Sequence, residues 1–181
     1  MKDARPSPVS FRANVARLPQ KGLPLVIDAS PQQRAELAGA HGLLAVDSFR
    51  AELLVEKWKR DGIRITGKVH ARIEQACIVT LEPIPAKIGE EIDTIFVPQD
   101  SRLIRPDIDE RGEILLDAEG ADSPETFSGD TIDVGALAEE FFALGIDPYP
   151  RKVGASLERD LSPDHGEASP FAKLLSLRRG S

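Results

Sequence analysis

Residues 129–152, GDTIDVGALAEEFFALGIDPYPRK, permit little besides a capped helix with one apolar face. Asp133 stands where an N-cap belongs, since its carboxylate accepts hydrogen bonds from the free amides of a first turn. Ile132 and Leu137 occupy the two positions of a hydrophobic staple. Val134, Leu137, Ala138, Phe141 and Leu144 recur at helical spacing and make one stripe. Gly145 is expected to close the helix in a left-handed conformation, with Ile146 folding back toward Phe141. Pro148 and Pro150 prevent the helix from resuming. The pattern predicts a helix over 134–144, and its stripe must lie against another layer.

The middle of the chain supplies that layer. Ile63, Ile65, Gly67, Val69, Ala71 and Ile73 alternate with Arg64, Thr66, Lys68, His70, Arg72 and Glu74, which is the pattern of a half-buried antiparallel strand with a wet outer face. Cys77 and Val79 are read as continuing the inner row. Shorter strands are expected over 43–46 and 50–58, the latter with Ala51, Leu53 and Val55 inward and Glu52 and Glu56 outward. Residues 59–62, KRDG, read as a hairpin turn, because Asp-Gly tolerates positive backbone angles. Pro83 and Pro85 mark a further turn before a strand over 86–97.

Before this meander, residues 1–8 are polar and expected to be loose. Residues 11–18 are strand-like, and 23–27 form a short apolar run suited to a buried strand. Ser30, Pro31 and Gln33 form a capping box with proline at the first helical position. A short helix should follow to about Ala40 and end near Gly42. Residues 99–130 are rich in Asp, Glu, Gly and Pro, with 114–116 the only apolar cluster, and read as a long acidic loop. Residues 153–168 are loop-like. A last short helix opens at Ser169 and Pro170, with Phe171, Leu174, Leu175 and Leu177 available for docking. The expected fold is α+β: an antiparallel meander, open or curling toward a barrel, covered by a few short helices.

At 181 residues the chain suits one domain with a real core, here residues 11–181 behind a loose stretch over 1–10. Aromatics make up only 5%, so aliphatic side chains must fill that core. One cysteine permits no internal disulfide and fits a reducing compartment. The N-terminal residues lack the apolar core of a signal peptide, and no apolar run approaches the ~20 residues that span a bilayer. The expectation is a soluble cytoplasmic protein without membrane contact. A net charge of −7 argues against a broadly basic nucleic-acid coat, but says nothing about local patches.

Three stretches in order carry a resemblance. Gly129, Ile132, Asp133, Leu137 and Glu139, with the exit Pro148-Tyr149-Pro150, resemble the signature of the YceD family of bacterial large ribosomal RNA subunit accumulation proteins. Residues 77–83, CIVTLEP, including Cys77 and Pro83, fit the same family, as does the tail 169–177, SPFAKLLSL, with Pro170 and Phe171. The resemblance implies a non-enzymatic factor in 23S rRNA accumulation and early large-subunit assembly. It would act through precursor rRNA or a large-subunit ribosomal protein. Many members place a second cysteine three residues after the first, as a zinc site would require. Here that position is Thr80, so no metal site is expected and Cys77 reads as a small buried strand residue.

The residues themselves favour binding over catalysis. His41, His70 and His165 have no spacing that suggests a catalytic pair or metal cluster. No Gly-x-Ser-x-Gly nucleophile motif or phosphate-cradling glycine loop is present. No cofactor or small-molecule substrate is expected. Arg64, Lys68 and Arg72 fall every fourth residue, which sets neighbours about 13 Å apart along a strand. Lys57, Lys59 and Arg60 crowd the adjacent hairpin. Such a stripe could follow an RNA backbone, or could be a solvated face that keeps a sheet soluble. Arg151 and Lys152, and Arg178 and Arg179, carry the same two readings. Tyr149 is read as a packed anchor, while Trp58 remains ambiguous. A protein-only adaptor, using the acidic loop or the helix, is the alternative without RNA contact.

Overall fold

The computed structural model describes residues 6–101 and 124–155. Its seven strands and two helices run β1 (Arg12–Asn14), β2 (Leu23–Asp28), α1 (Pro31–His41), β3 (Ala45–Trp58), β4 (Gly62–Ala76), β5 (Pro83–Pro98), β6 (Glu125–Phe127), β7 (Thr131–Asp133) and α2 (Val134–Leu144). Strands β2 to β6 lie side by side in sequence order in one sheet, and β1 pairs with β7 in a second. Every pairing is antiparallel except β5 with β6. The fold is α+β with an open sheet and no barrel closure. The C-terminal helix expected from Ser169, together with His165, Pro170, Phe171, Arg178 and Arg179, lies outside the described residues.

Helix α1 follows its local signals. Ser30 Oγ accepts from the Gln33 amide and Gln33 Oε1 accepts from the Ser30 amide, which closes the capping box reciprocally. Gly42 stops the helix at φ 65°. In α2, Asp133 caps the first turn through the Ala136 amide at 3.0 Å. Its carboxylate also accepts from Ser10 Oγ at 2.5 Å and the Phe11 amide at 2.9 Å, tying the N-terminal segment to the helix. Burial raises this carboxyl's pKa, but the Ser10, Ala136, Phe11 and Gly135 hydrogen bonds together outweigh it and hold it below its ordinary value.

The strands depart from expectation where one residue shifts the count. The segments 43–46 and 50–58 belong to a single β3, with a bulge between Val46 and Ser48. Asp47 is the additional residue, so Val46 and Phe49 are both buried although three positions apart. At the hairpin tip the positive angle belongs to Lys59 (φ 51°). Gly62 instead lies in β4, where a Cβ would meet the Trp58 ring at 2.7 Å. Lys59 Nζ rests 4.1 Å from the centre of that half-buried ring. Pro83 and Pro85 are not a turn but the first positions of β5, where β4 is its one neighbour and a missing amide is tolerated. The reversal falls at 77–82, with Leu81 at φ 60°. Strand β1 is shorter than the run 11–18, and Val9, within the stretch expected to be loose, is fully buried. Residues 125–127, expected in the acidic loop, extend the sheet beside β5.

One core fills the space between sheet and helices. The inner rows of β3 and β4, from Phe49 to Val55 and Ile63 to Ile73, meet Leu37 and Ala38 of α1 and Val134, Leu137, Ala138 and Phe142 of α2. Helix α1 packs on β3, and α2 packs on β4 and β5. The buried stripe of α2 runs 134, 138, 142, so Phe142 is the anchor. Phe141 is only partly buried, and Leu144 is exposed. Phe142 meets Phe49 and His41 edge-on, with ring centres 5.5 and 5.4 Å apart. Gly145 ends α2 at φ −79°, not left-handed; the glycine is needed because a Cβ would approach Ile88 to 2.6 Å.

Candidate nucleic-acid interface

Both helices cover the inner face of the sheet, and among the described residues the outer face of β3–β5 carries no helix. The alternation of β4 places Arg64, Lys68, His70 and Arg72 there, all exposed. Antiparallel register sets Glu56, Glu52, Arg50 and Ser48 beside them on one flank and Ile95, Glu91, Gly89 and Lys87 on the other.

This register divides the basic stripe into two halves. In the half near the hairpin the cations are matched. Arg64 grips Asp93 with two bonds of 2.8 and 2.6 Å, and Lys68 Nζ lies 2.7 Å from Glu91. Hydrogen bonding to Arg64 holds the Asp93 carboxyl below its ordinary pKa, and Lys68 does the same for Glu91. These are exposed pairs, each worth about 0–1 kcal/mol to stability, and in each the cation's charge is already offset by the neighbouring carboxylate. In the other half, Arg72 donates to Ser48 Oγ at 3.3 Å and stands directly opposite Lys87. Among the described residues neither has a carboxylate partner. Arg50 is paired with Glu52 and Asp28.

The remaining expected cations lie elsewhere. Lys57 and Arg60 line an open hollow of about 560 Å³ at the hairpin tip, with Asp61, Asp100 and Asp130. Lys152 is held by Glu82 at 2.6 Å beside the β4–β5 turn, and Arg151 is exposed next to it. The seven cations therefore occupy three places along the sheet. Lys87 and Gly89, which complete the middle group, were not legible from sequence, because only strand register reveals what faces His70 and Arg72.

The other motif residues serve the frame. Gly129 takes φ 76° in the β6–β7 turn, Ile132 and Leu137 are buried, and Glu139 binds His41 at 2.9 Å. That pair joins the two helices across 98 positions, a contact no local pattern signals. Cys77 is not a strand residue. It is fully buried in the β4–β5 turn, where its Sγ accepts from the Thr80 and Lys152 amides, both at 3.4 Å. Hydrogen bonding from Thr80, then from the Lys152 and Thr80 amides, outweighs burial and brings the thiol down to about 6. The Ile78 amide adds a bond to the Pro150 carbonyl at 3.0 Å, so this turn holds the exit segment. Pro148 is exposed and Pro150 half-buried. Tyr149 between them is 72% exposed and anchors nothing, because the exit is pinned on either side of it, at the Asp147 carbonyl by Gln75 and at the Pro150 carbonyl by the Ile78 amide. Among the described residues no group of three or more His, Cys, Asp or Glu is placed to hold a metal. No helix among them is long and apolar enough to cross a membrane.

Among the described residues, then, the protein is an open α+β sheet with helices on one face and charged side chains on the other. The chain belongs to the family described as large ribosomal RNA subunit accumulation protein YceD, whose model matches residues 65–177, more than half of its length. That description ties the family to accumulation of the large ribosomal subunit RNA and names no reaction. No curated protein and no solved structure matches the chain.

Proposed function

We propose that this protein is a non-enzymatic factor that binds precursor large-subunit rRNA on the outer face of its sheet and protects or orders it during early assembly. The observation that carries this reading is the outer face of β3–β5, whose exposed cations line a surface that neither α1 nor α2, the helices among the described residues, covers. Basic side chains on such a face contact phosphates, and the family's description supplies the RNA. The adaptor reading, in which a ribosomal protein docks without RNA contact, draws on exposed Leu81 and Tyr149 near the β4–β5 turn. Salt separates the two. Titration of a large-subunit precursor fragment should give saturable binding that exceeds a small-subunit control and weakens steeply with salt, by a slope of about 0.7 to 0.9 per phosphate contact in log units. Absence of binding at low salt would leave the adaptor.

A further inference from the structure

We infer that the RNA contact is a nucleotide site at one end of the sheet, formed by His70, Arg72, Lys87 and Gly89, and that it takes single-stranded RNA. This rests on the function proposed above and narrows it. Four neighbouring strands, β2 to β5, meet at a shallow depression of about 520 Å³ lined by Asp28, Ser48, Arg50, His70, Arg72, Lys87 and Gly89, over the inner-row residues Phe49, Ala71 and Ile88. Two features set it apart from the rest of the face.

The first is charge. Elsewhere the outer face matches its cations with carboxylates, Arg64 with Asp93 and Lys68 with Glu91, and within the depression Arg50 is likewise taken up by Asp28 and Glu52. Here Arg72 and Lys87 are exact cross-strand partners, and His70 stands between Arg50 and Gly89. Like charges directly opposite in an antiparallel pair are destabilising, and a bridging anion relieves them. The carboxylate in the depression, Asp28, is already engaged by Arg50 at 3.4 Å.

The second is an uncovered ring. Gly89 is the register partner of His70, and a Cβ built on it would sit 3.5 Å from His70 Nδ1 and 3.9 Å from Cε1. The missing side chain leaves one flank of the imidazole bare at an exposed position. A base can stack there while its flanking phosphates reach Arg72 and Lys87. Single strands offer such a base; a duplex keeps its bases stacked internally, so it cannot use the ring.

The experiment uses the full chain and a short single-stranded RNA from the large-subunit precursor, with the same strand annealed to its complement as a second probe. Arg72→Ala with Lys87→Ala should lower the salt slope by about 1.4 log units, two contacts at ~0.7 each. Gly89→Val changes no charge and suits a strand, yet covers the ring; it should weaken single-strand binding about tenfold or more and leave the salt slope unchanged. Arg64→Ala with Lys68→Ala should change affinity by about twofold at most, since those cations are already matched. Unchanged thermal melts confirm that each variant is folded. If the wild type binds but the Arg72/Lys87 variant keeps its slope, or the duplex binds equally well and is equally sensitive to Gly89→Val, the site is overturned while the proposed function stands. If the wild type binds neither RNA at low salt, both fall.

Discussion

Replacing Phe142 by alanine should cost about 3–5 kcal/mol, the usual range for emptying a fully buried phenylalanine site. The side chain is completely inaccessible and packs edge-on between Phe49 of the sheet and His41 of α1. It is where sheet, first helix and second helix meet, so no single neighbour can relax into the space. The His41–Glu139 pair depends on the same packing and should loosen with it. For a chain of this length the melting temperature should fall by about 6–20 °C, read by circular dichroism. Leu144→Ala, two residues on but exposed, should move it by less than about 2 °C. Equal effects at the two positions would mean that α2 presents its other side to the sheet.

Gly135→Ala should destabilise the protein by about 2 kcal/mol or more, although alanine favours a helix over glycine by nearly 1 kcal/mol. Gly135 is in the first turn of α2, where the N-terminal segment crosses. A Cβ there would stand 1.9 Å from the Val9 carbonyl oxygen and 2.6 Å from the Phe11 nitrogen. Both neighbours are backbone, so neither can swing away. Relief requires the segment to lift, which would break the Val134 amide to Phe11 carbonyl bond and the Phe11 amide to Asp133 bond. Urea unfolding should show a lower midpoint. Gly39→Ala in α1 is the control: a Cβ there meets nothing within 4 Å, so it should stabilise by about 0.5–1 kcal/mol.

These two glycines illustrate what sequence carries and what it does not. Helix propensity treats the two glycines alike, and only the chain crossing Gly135 distinguishes them. Signals confined to a few residues were legible: the reciprocal Ser30 and Gln33 cap, the Asp133 cap, and the alternation of β4. The bulge at Asp47 was not, because one inserted residue in a strand looks like the end of one strand and the start of another. Phe141 and Phe142 are adjacent and equally apolar, so periodicity could not decide which one faces Phe49. The proposed RNA face was half legible for the same kind of reason. Arg64, Lys68 and Arg72 declare themselves on one strand, whereas their carboxylate and lysine neighbours come from strands whose register the sequence leaves open. Register turned an even stripe into a matched half and an unmatched half.

Ultraviolet crosslinking of the protein to precursor large-subunit rRNA, followed by mass spectrometry of the crosslinked peptides, places the RNA on the molecule. Nucleotide adducts should concentrate on the peptides holding His70 to Arg72 and Lys87 to Gly89, on the outer face of β4 and β5. Adducts confined to the β4–β5 turn and the Pro148 to Lys152 exit, with the sheet face unmarked, would contradict RNA binding on the sheet.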